Sequence, residues 1–190
     1  LIKLVASPHP ENLGIAYRRG VTKIILPEFD SCMETAQNNP HHCYSVGEHI
    51  LKSMQEIAPD KLLRLAMLFH DIGKPGTRTT DEKGIHHFHG HPALSAEIAH
   101  DVLRRLKFDN HTISMVTKLV KYHDQKVLPE PVYVRRAILQ IGEDTFPLLY
   151  DVKLADLKAQ SSFRRREKEE SLEEIYRIYR QIMSEGQCVC

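Results

Sequence analysis

Between Lys61 and His70 the chain reads Leu62-Leu63-Arg64-Leu65-Ala66-Met67-Leu68-Phe69, apolar almost all the way round a helix. A helix of that kind has no face to offer water, so other elements must enclose it. Pro59-Asp60 opens the segment, Gly73 can supply a left-handed stop, and Pro75 prevents continuation. The surrounding segments repeat apolar residues at helical spacing, and the period-2 alternation of half-buried strands is almost missing. The fold class is therefore all-α, a helical bundle around this central element.

Along the chain, Leu1–Ala6 already reads as part of an element, Asn12–Arg19 is a short helix closed by Gly20, and Val21–Gln37 is an irregular connector in which Ile24, Ile25 and Leu26 pack before Pro27. In the helix from Tyr44 to Ile57, Val46, Ile50, Met54 and Ile57 share one face and His49 sits beside it. Gly76–Gly90 is polar and without helical period, a long loop of the sort that more often carries function than fills space. Pro92 opens a helix to about Lys107, Asn110 caps another to about Tyr122, and Val132–Ile141 and Asp144–Gln160 add two more. The last, about Arg164–Met183, carries an apolar stripe behind the solvated charge run Arg164–Glu170.

At 190 residues, one domain or one with a small appendage is expected, divided as 1–40 lead-in, 41–160 main body and 161–190 C-terminal helical extension and tail. Lys and Arg total 26 against 25 Asp and Glu, a net charge of +1, so any nucleic-acid contact must come from local patches. With 42% hydrophobic and 27% charged residues the chain is too apolar to be disordered. Cys32, Cys43, Cys188 and Cys190 contain no CxxC pair, which argues against a disulfide framework or a thiolate zinc site. No apolar run approaches the roughly 20 residues that span a bilayer, and no signal peptide opens the sequence. A reducing, cytoplasmic setting is the expectation. The start at Leu1 suggests a piece of a longer protein.

His70-Asp71 follows the central helix directly. An aspartate at the end of so apolar a helix is costly unless it is paired or bound to a cation, and imidazole with carboxylate makes a hard-to-borderline ligand pair. Partners stand where other helices can present them: His49, His91 ahead of Pro92, His123 after the Asn110 helix, and Asp156 beside Ala155 and Leu157. Asp156 could equally pair with Lys153 or Lys158, His91 could merely cap its helix, and His123 could merely end its own. Of the remaining histidines among twelve, His86, His87 and His89 lie in the loop, His41 and His42 near the mouth, and His9, His100 and His111 on the surface. Asp124 either orients a ligating histidine or is simply a helix-end residue. Lys74, after the Asp-Ile-Gly turn, is placed to meet a phosphate oxygen; Arg78 and Arg165 are further candidates by residue type and neighbourhood.

The order His49, His70-Asp71 and a distant Asp156 resembles the HD superfamily of metal-dependent phosphohydrolases, and Gly90-His91-Pro92 and Tyr122-His123-Asp124 match the extra histidines of its binuclear members. The stretches Asn39–His49, Phe88–Pro92, Val134–Ile138 and Ala155-Asp156 further resemble the HD region of bacterial tRNA nucleotidyltransferases, the CCA-adding and poly(A) polymerase family. That family's Gly-Ser stretch and spaced carboxylates, which belong to its nucleotide-adding head, have no match here. The resemblance implies an all-α HD-domain bundle and hydrolysis of phosphomonoesters or phosphodiesters of nucleotides or RNA ends. It also implies one or two divalent ions, Fe, Mn, Ni, Co or Zn ahead of Mg, held by His49, His70, Asp71, His91, His123 and Asp156. Asp71 would bridge two ions and Lys74 would stabilise the phosphoryl charge. The alternative is a non-catalytic module that binds tRNA or a nucleotide through Lys118, Lys121, Arg135, Arg136 and Arg164–Arg166.

Overall fold

A computed structural model describes residues 1–38, 44–162 and 164–187. Asn39–Cys43, with His41 and His42, and the terminal Cys188 and Cys190 lie outside the described residues. The central apolar segment is α6 (Lys61–Phe69), in which every residue from Leu63 to Phe69 is buried. Asp60 caps it by accepting from the Leu62 and Leu63 amides at 2.8 and 3.1 Å. Its one charged interior residue, Arg64, is buried too. The guanidinium donates to the carbonyls of Ile57, Ala58 and Val5, tying α6 to the ends of two neighbouring helices.

Around α6 pack α5 (Val46–Gln55), α8 (His91–Arg105), α9 (Asn110–Tyr122) and α11 (Phe146–Ala159). α10 (Pro131–Ile141) and the long α12 (Arg165–Gln187) close against α11. The core is one continuous cluster running from Val5 through Phe69, Val116 and Val152 to Ile178. Burial of this kind, at about 25 cal/mol per Å² of apolar surface, is the main force holding the helices together.

Several local expectations differ from the structure. The segment 21–37 is not irregular: it holds α3 (Thr22–Ile25) and α4 (Pro27–Met33), and Ile24 points outward, 84% exposed, while Leu26 is buried. These helices follow α1 (Ile2–Val5) and α2 (Leu13–Arg18), and α2 ends as expected at Gly20, whose φ is +73°. Gly73 is right-handed (φ −83°) rather than a left-handed stop, and Pro75 sits in the first turn of a new short helix, α7 (Lys74–Thr77), where its missing amide costs nothing. The polar loop 76–90 contains a small antiparallel hairpin, β1 (Thr79–Thr80) with β2 (His86–His87). The cap of α9 is Asp109, one residue earlier than Asn110, with Oδ1 accepting from the Thr112 amide at 2.8 Å.

Gly73 matters for a different reason. A Cβ there would stand 2.6 Å from the Ser95 amide nitrogen and 2.9 Å from the His91 carbonyl oxygen. Only glycine lets the turn after α6 lie this close to α8, and the Gly73 amide donates to Ser95 Oγ at 2.9 Å across the contact.

Candidate metal centre

The helix ends build the centre. His70 and His123 occupy the positions just past α6 and α9, where the last carbonyls of a helix lack intrahelical partners. Each ring turns Nδ1 onto such a carbonyl, His70 onto Met67 O and His123 onto Val120 O, both at 2.7 Å. His91, the first residue of α8, does the same to Phe88 O at 2.8 Å. In a neutral ring an Nδ1–H donated to backbone leaves the lone pair on Nε2, so when neutral these three rings are fixed in the tautomer that ligates metal through Nε2.

The Nε2 atoms of these three rings and of His49 converge on Asp71. Its Oδ2 stands 3.3 Å from His70 Nε2 and 3.5 Å from His49 Nε2. Its Oδ1 stands 3.3 Å from His91 Nε2 and 3.7 Å from His123 Nε2. His49 Nε2 is 3.2 Å from His70 Nε2, and His91 Nε2 is 3.2 Å from His123 Nε2. Asp156, from α11, brings Oδ1 to 2.9 Å from His49 Nε2 and 3.7 Å from His70 Nε2. All four rings and Asp71 are buried.

This donor set fits a cation. His91 and His123 both spend their Nδ1–H on carbonyls, so two lone pairs and a carboxylate oxygen face one another with no hydrogen to share. Ligand atoms about 2.1 Å from one ion lie about 3.0 Å apart at octahedral angles and about 3.4 Å apart at tetrahedral ones, close to the separations here. Two trios satisfy this requirement, His49–His70–Asp71 and Asp71–His91–His123.

Electrostatics keep the carboxylates charged. Burial pushes the Asp71 carboxyl upward, but the positive charges of His70 and Lys74 beside it outweigh that and hold it well below the usual carboxylate range. Asp156 is likewise held low against burial, chiefly by His49. Burial lowers His123, keeping it neutral. For His70 burial is overcome by Asp71 and Asp156, and its imidazole holds a proton above the ordinary value.

Lys74 is buried with Nζ 2.7 Å from Asp71 Oδ2 and 2.9 Å from Gln37 Oε1. It borders a cleft of about 1050 Å³ that opens over the centre between the hairpin, the turn after α9, α11 and α12. His86, His87 and His89 border the same cleft, with His87 Nε2 held by Asp81 Oδ2 at 2.9 Å. Arg78 and Arg165 do not line it: Arg78 is exposed, and Arg165 donates to the carbonyls of Lys158 and Gln160 at the end of α11. Arg164, its neighbour, does line the cleft.

Two residues were not among the sequence candidates for the site. Lys153 donates to the carbonyls of His123 and Gln125 at 2.7 and 2.8 Å, fastening the end of α9 that carries His123, and burial lowers its pKa to about 8. The signal was a lysine inside the otherwise apolar run Val152–Ala155. Gln37, which holds Lys74, carried no such signal. Asp124, expected to orient a histidine, is exposed, and the carbonyls of Phe88, Val120 and Met67 do that work instead.

A predominantly helical body that gathers four histidines and two aspartates from five helices around Asp71 defines a class of helical-bundle protein whose centre could hold a metal ion. Residues 41–176 match the HD domain, and the chain is a member of the HD domain family. It is 32% identical over 146 residues to the A-adding tRNA nucleotidyltransferase of Deinococcus radiodurans, covering 74% of this chain and 33% of that protein. It is 34% identical over 163 residues to the CC-adding tRNA nucleotidyltransferase of Thermus thermophilus, covering 82% and 37% respectively. A bifunctional uridylyltransferase/uridylyl-removing enzyme of Ruegeria pomeroyi is 29% identical over 126 residues, 55% of this chain and 13% of that protein. The chain thus spans about a third of the length of the first two proteins. Among the described residues, no helix is long and apolar enough to cross a membrane.

Proposed function

We propose that this chain is the metal-dependent phosphohydrolase part of a tRNA nucleotidyltransferase-like protein, cleaving phosphomonoesters or phosphodiesters of nucleotides or RNA ends in the cytoplasm. The observation that carries this reading is the Asp71 carboxylate, which turns Oδ2 to His49 and His70 and Oδ1 to His91 and His123. His49, His70, Asp71 and Asp156 would hold one divalent ion, and Asp71, His91 and His123 a second. An imidazole-rich set without thiolate suits Fe, Mn, Ni, Co or Zn, with Mg at a single open site. Bound there, the ions supply Lewis-acid charge to phosphoryl oxygens and make a water nucleophilic near neutral pH.

The chain's own groups prepare the site. Three carbonyl-locked rings need no reorganisation when charge develops, which is the condition for electrostatic catalysis. Lys74 has three N–H donors, of which Asp71 and Gln37 engage two, leaving one for a phosphate oxygen in the cleft. Similarity to A-adding and CC-adding enzymes supports an RNA 3′ end or tRNA as the partner.

Protein purified without chelator should carry divalent metal by elemental analysis and hydrolyse members of a phosphomonoester and phosphodiester panel, 2′,3′-cyclic nucleotides included. Asp71→Ala should lose both properties while keeping its circular dichroism spectrum. Full hydrolysis by metal-depleted Asp71→Ala protein would overturn the mechanism, and zero metal across several divalent ions would leave a tRNA-binding module instead.

A further inference from the structure

The cleft over the centre is far larger than a phosphate requires, and its far wall is built differently from the metal end. There α11 and α12 contribute Leu149, Tyr150, Leu172, Ile175 and Tyr176. Tyr150 and Tyr176 stack with ring centroids 4.2 Å apart, and the stack continues through Tyr179 to Phe146 at 5.5 and 5.1 Å. Tyr150 is thus the terminal ring of a four-ring stack and borders the cleft, as Tyr176 does.

One helix face joins the two ends of the cleft. Tyr150, Lys153, Asp156 and Leu157 all line it from α11, at helical spacing. Asp156 lies six residues beyond Tyr150, about 9 Å along the helix axis, which is the span of a nucleoside monophosphate from phosphate to base. Between them Lys153, whose third N–H is not used by the His123 and Gln125 carbonyls, and Ser171 of α12 offer hydrogen-bonding groups to a ribose or base edge. A flat aromatic wall ending such a cleft is suited to a planar ring, because base–aromatic stacking is tolerant of which base is presented.

We propose that the Tyr150–Tyr176 wall is the nucleobase subsite of this cleft, so that the ligand is a nucleoside phosphate with its phosphate at the Asp71 centre and its base on the tyrosines. This rests on the phosphohydrolase reading for the phosphate end, while the base end stands on the aromatic geometry. The subsite discriminates by stacking and is therefore tolerant among bases and selective against phosphates that lack one.

The test is equilibrium binding of adenosine 5′-monophosphate and of ribose 5-phosphate to the full chain in Mn²⁺, by titration calorimetry. The nucleotide should bind about tenfold or more tightly than the sugar phosphate, the size of one base–aromatic stack. That ratio should collapse toward one in Tyr150→Ala and in Tyr176→Ala and survive in Tyr150→Phe, which keeps the ring; thermal melts establish that each variant is folded. Equal affinity of the wild-type chain for the two ligands would overturn the subsite, as would a ratio unchanged in both folded alanine variants. Hydrolysis of bis(p-nitrophenyl) phosphate, which has no nucleobase, reads the metal centre separately. Turnover of that ester without base selectivity would sink the subsite alone, whereas base selectivity without any turnover would sink the phosphohydrolase reading and support the subsite.

Discussion

Replacing Asp71 with alanine removes one oxygen from each trio of ligand atoms, whereas replacing His91 touches only the second. The two substitutions therefore differ in stoichiometry. Titration of the metal-free protein with Mn²⁺ should give two ions per chain for the wild type, one for His91→Ala and none for Asp71→Ala; loss of both ions on removing His91 would mean the trios are not separate sites. Protonation follows from the same geometry. His70 holds its proton above the ordinary histidine value, so its contribution to the metal-free fold is complete below about pH 6.5 and is lost as pH rises through the raised value. Asp71 behaves oppositely, contributing above the ordinary carboxylate value and losing that contribution only as pH falls through its depressed one. A ligating ring must be neutral at Nε2, so metal uptake expels the His70 proton. Apparent Mn²⁺ affinity should rise between pH 6 and 8, with proton release visible as a buffer-dependent binding enthalpy. An affinity flat across that range would contradict the ligand role of His70.

At the level of elements, the turn after α6 and the start of α8 must touch for the two trios to share Asp71. Gly73 is the point of contact, and a methyl group there meets backbone atoms of Ser95 and His91, which cannot swing aside as a side chain can. Gly73→Ala should push the start of α8 outward and carry His91 with it. The expected outcome is loss of the second ion at retained helicity, together with a melting temperature lowered by several degrees; unchanged stoichiometry and stability would mean that the contact relaxes freely. The elements differ in how plainly their sequences announce them. α5, α8 and α9 are long enough to show two or more turns of apolar spacing, and they stand close to where that spacing places them. α3 and α4, of four and seven residues, are too short for a period to register against their Pro, Thr and acidic residues. The hairpin has two-residue strands, below the length at which alternation exists, and it is fastened to a distant segment by Asn38, whose side chain donates to Gly84 O and whose carbonyl accepts from the His86 amide. The site candidates were readable because residue type and order point to metal chemistry. Lys153 and Gln37 act through partners 28 or more residues away, and such pairings are properties of the packed bundle.

For the whole molecule, the candidate ligand atoms join helices that are otherwise held by apolar packing and a few hydrogen bonds such as those of Arg64, Gly73 and Lys153. His49 rides on α5, His70 and Asp71 end α6, His91 begins α8, His123 ends α9, and Asp156 rides on α11, so one ion would tie α5, α6 and α11, a second α6, α8 and α9, with Asp71 common to both. Without metal the same point gathers lone pairs and two carboxylates, offset by the His70 proton, by Lys74 beside Asp71 and by the Gln160 amide that donates to Asp156. An ion that binds the folded chain and not the unfolded one stabilises by mass action, about 2.7 kcal/mol at a concentration one hundred times its dissociation constant. For a chain of this length that corresponds to a rise in melting temperature of about 5–10 °C. Saturating Mn²⁺ should produce that rise in the wild-type protein, chelation should reverse it, and Asp71→Ala should show neither. Because the candidate ligands come from five helices of one continuous core cluster, the whole transition should move as one. If instead the ion shifted only a minor early phase of the melt, the centre would be an attachment to one edge of the fold, and the packing of α6 against its neighbours would not depend on what Asp71 holds.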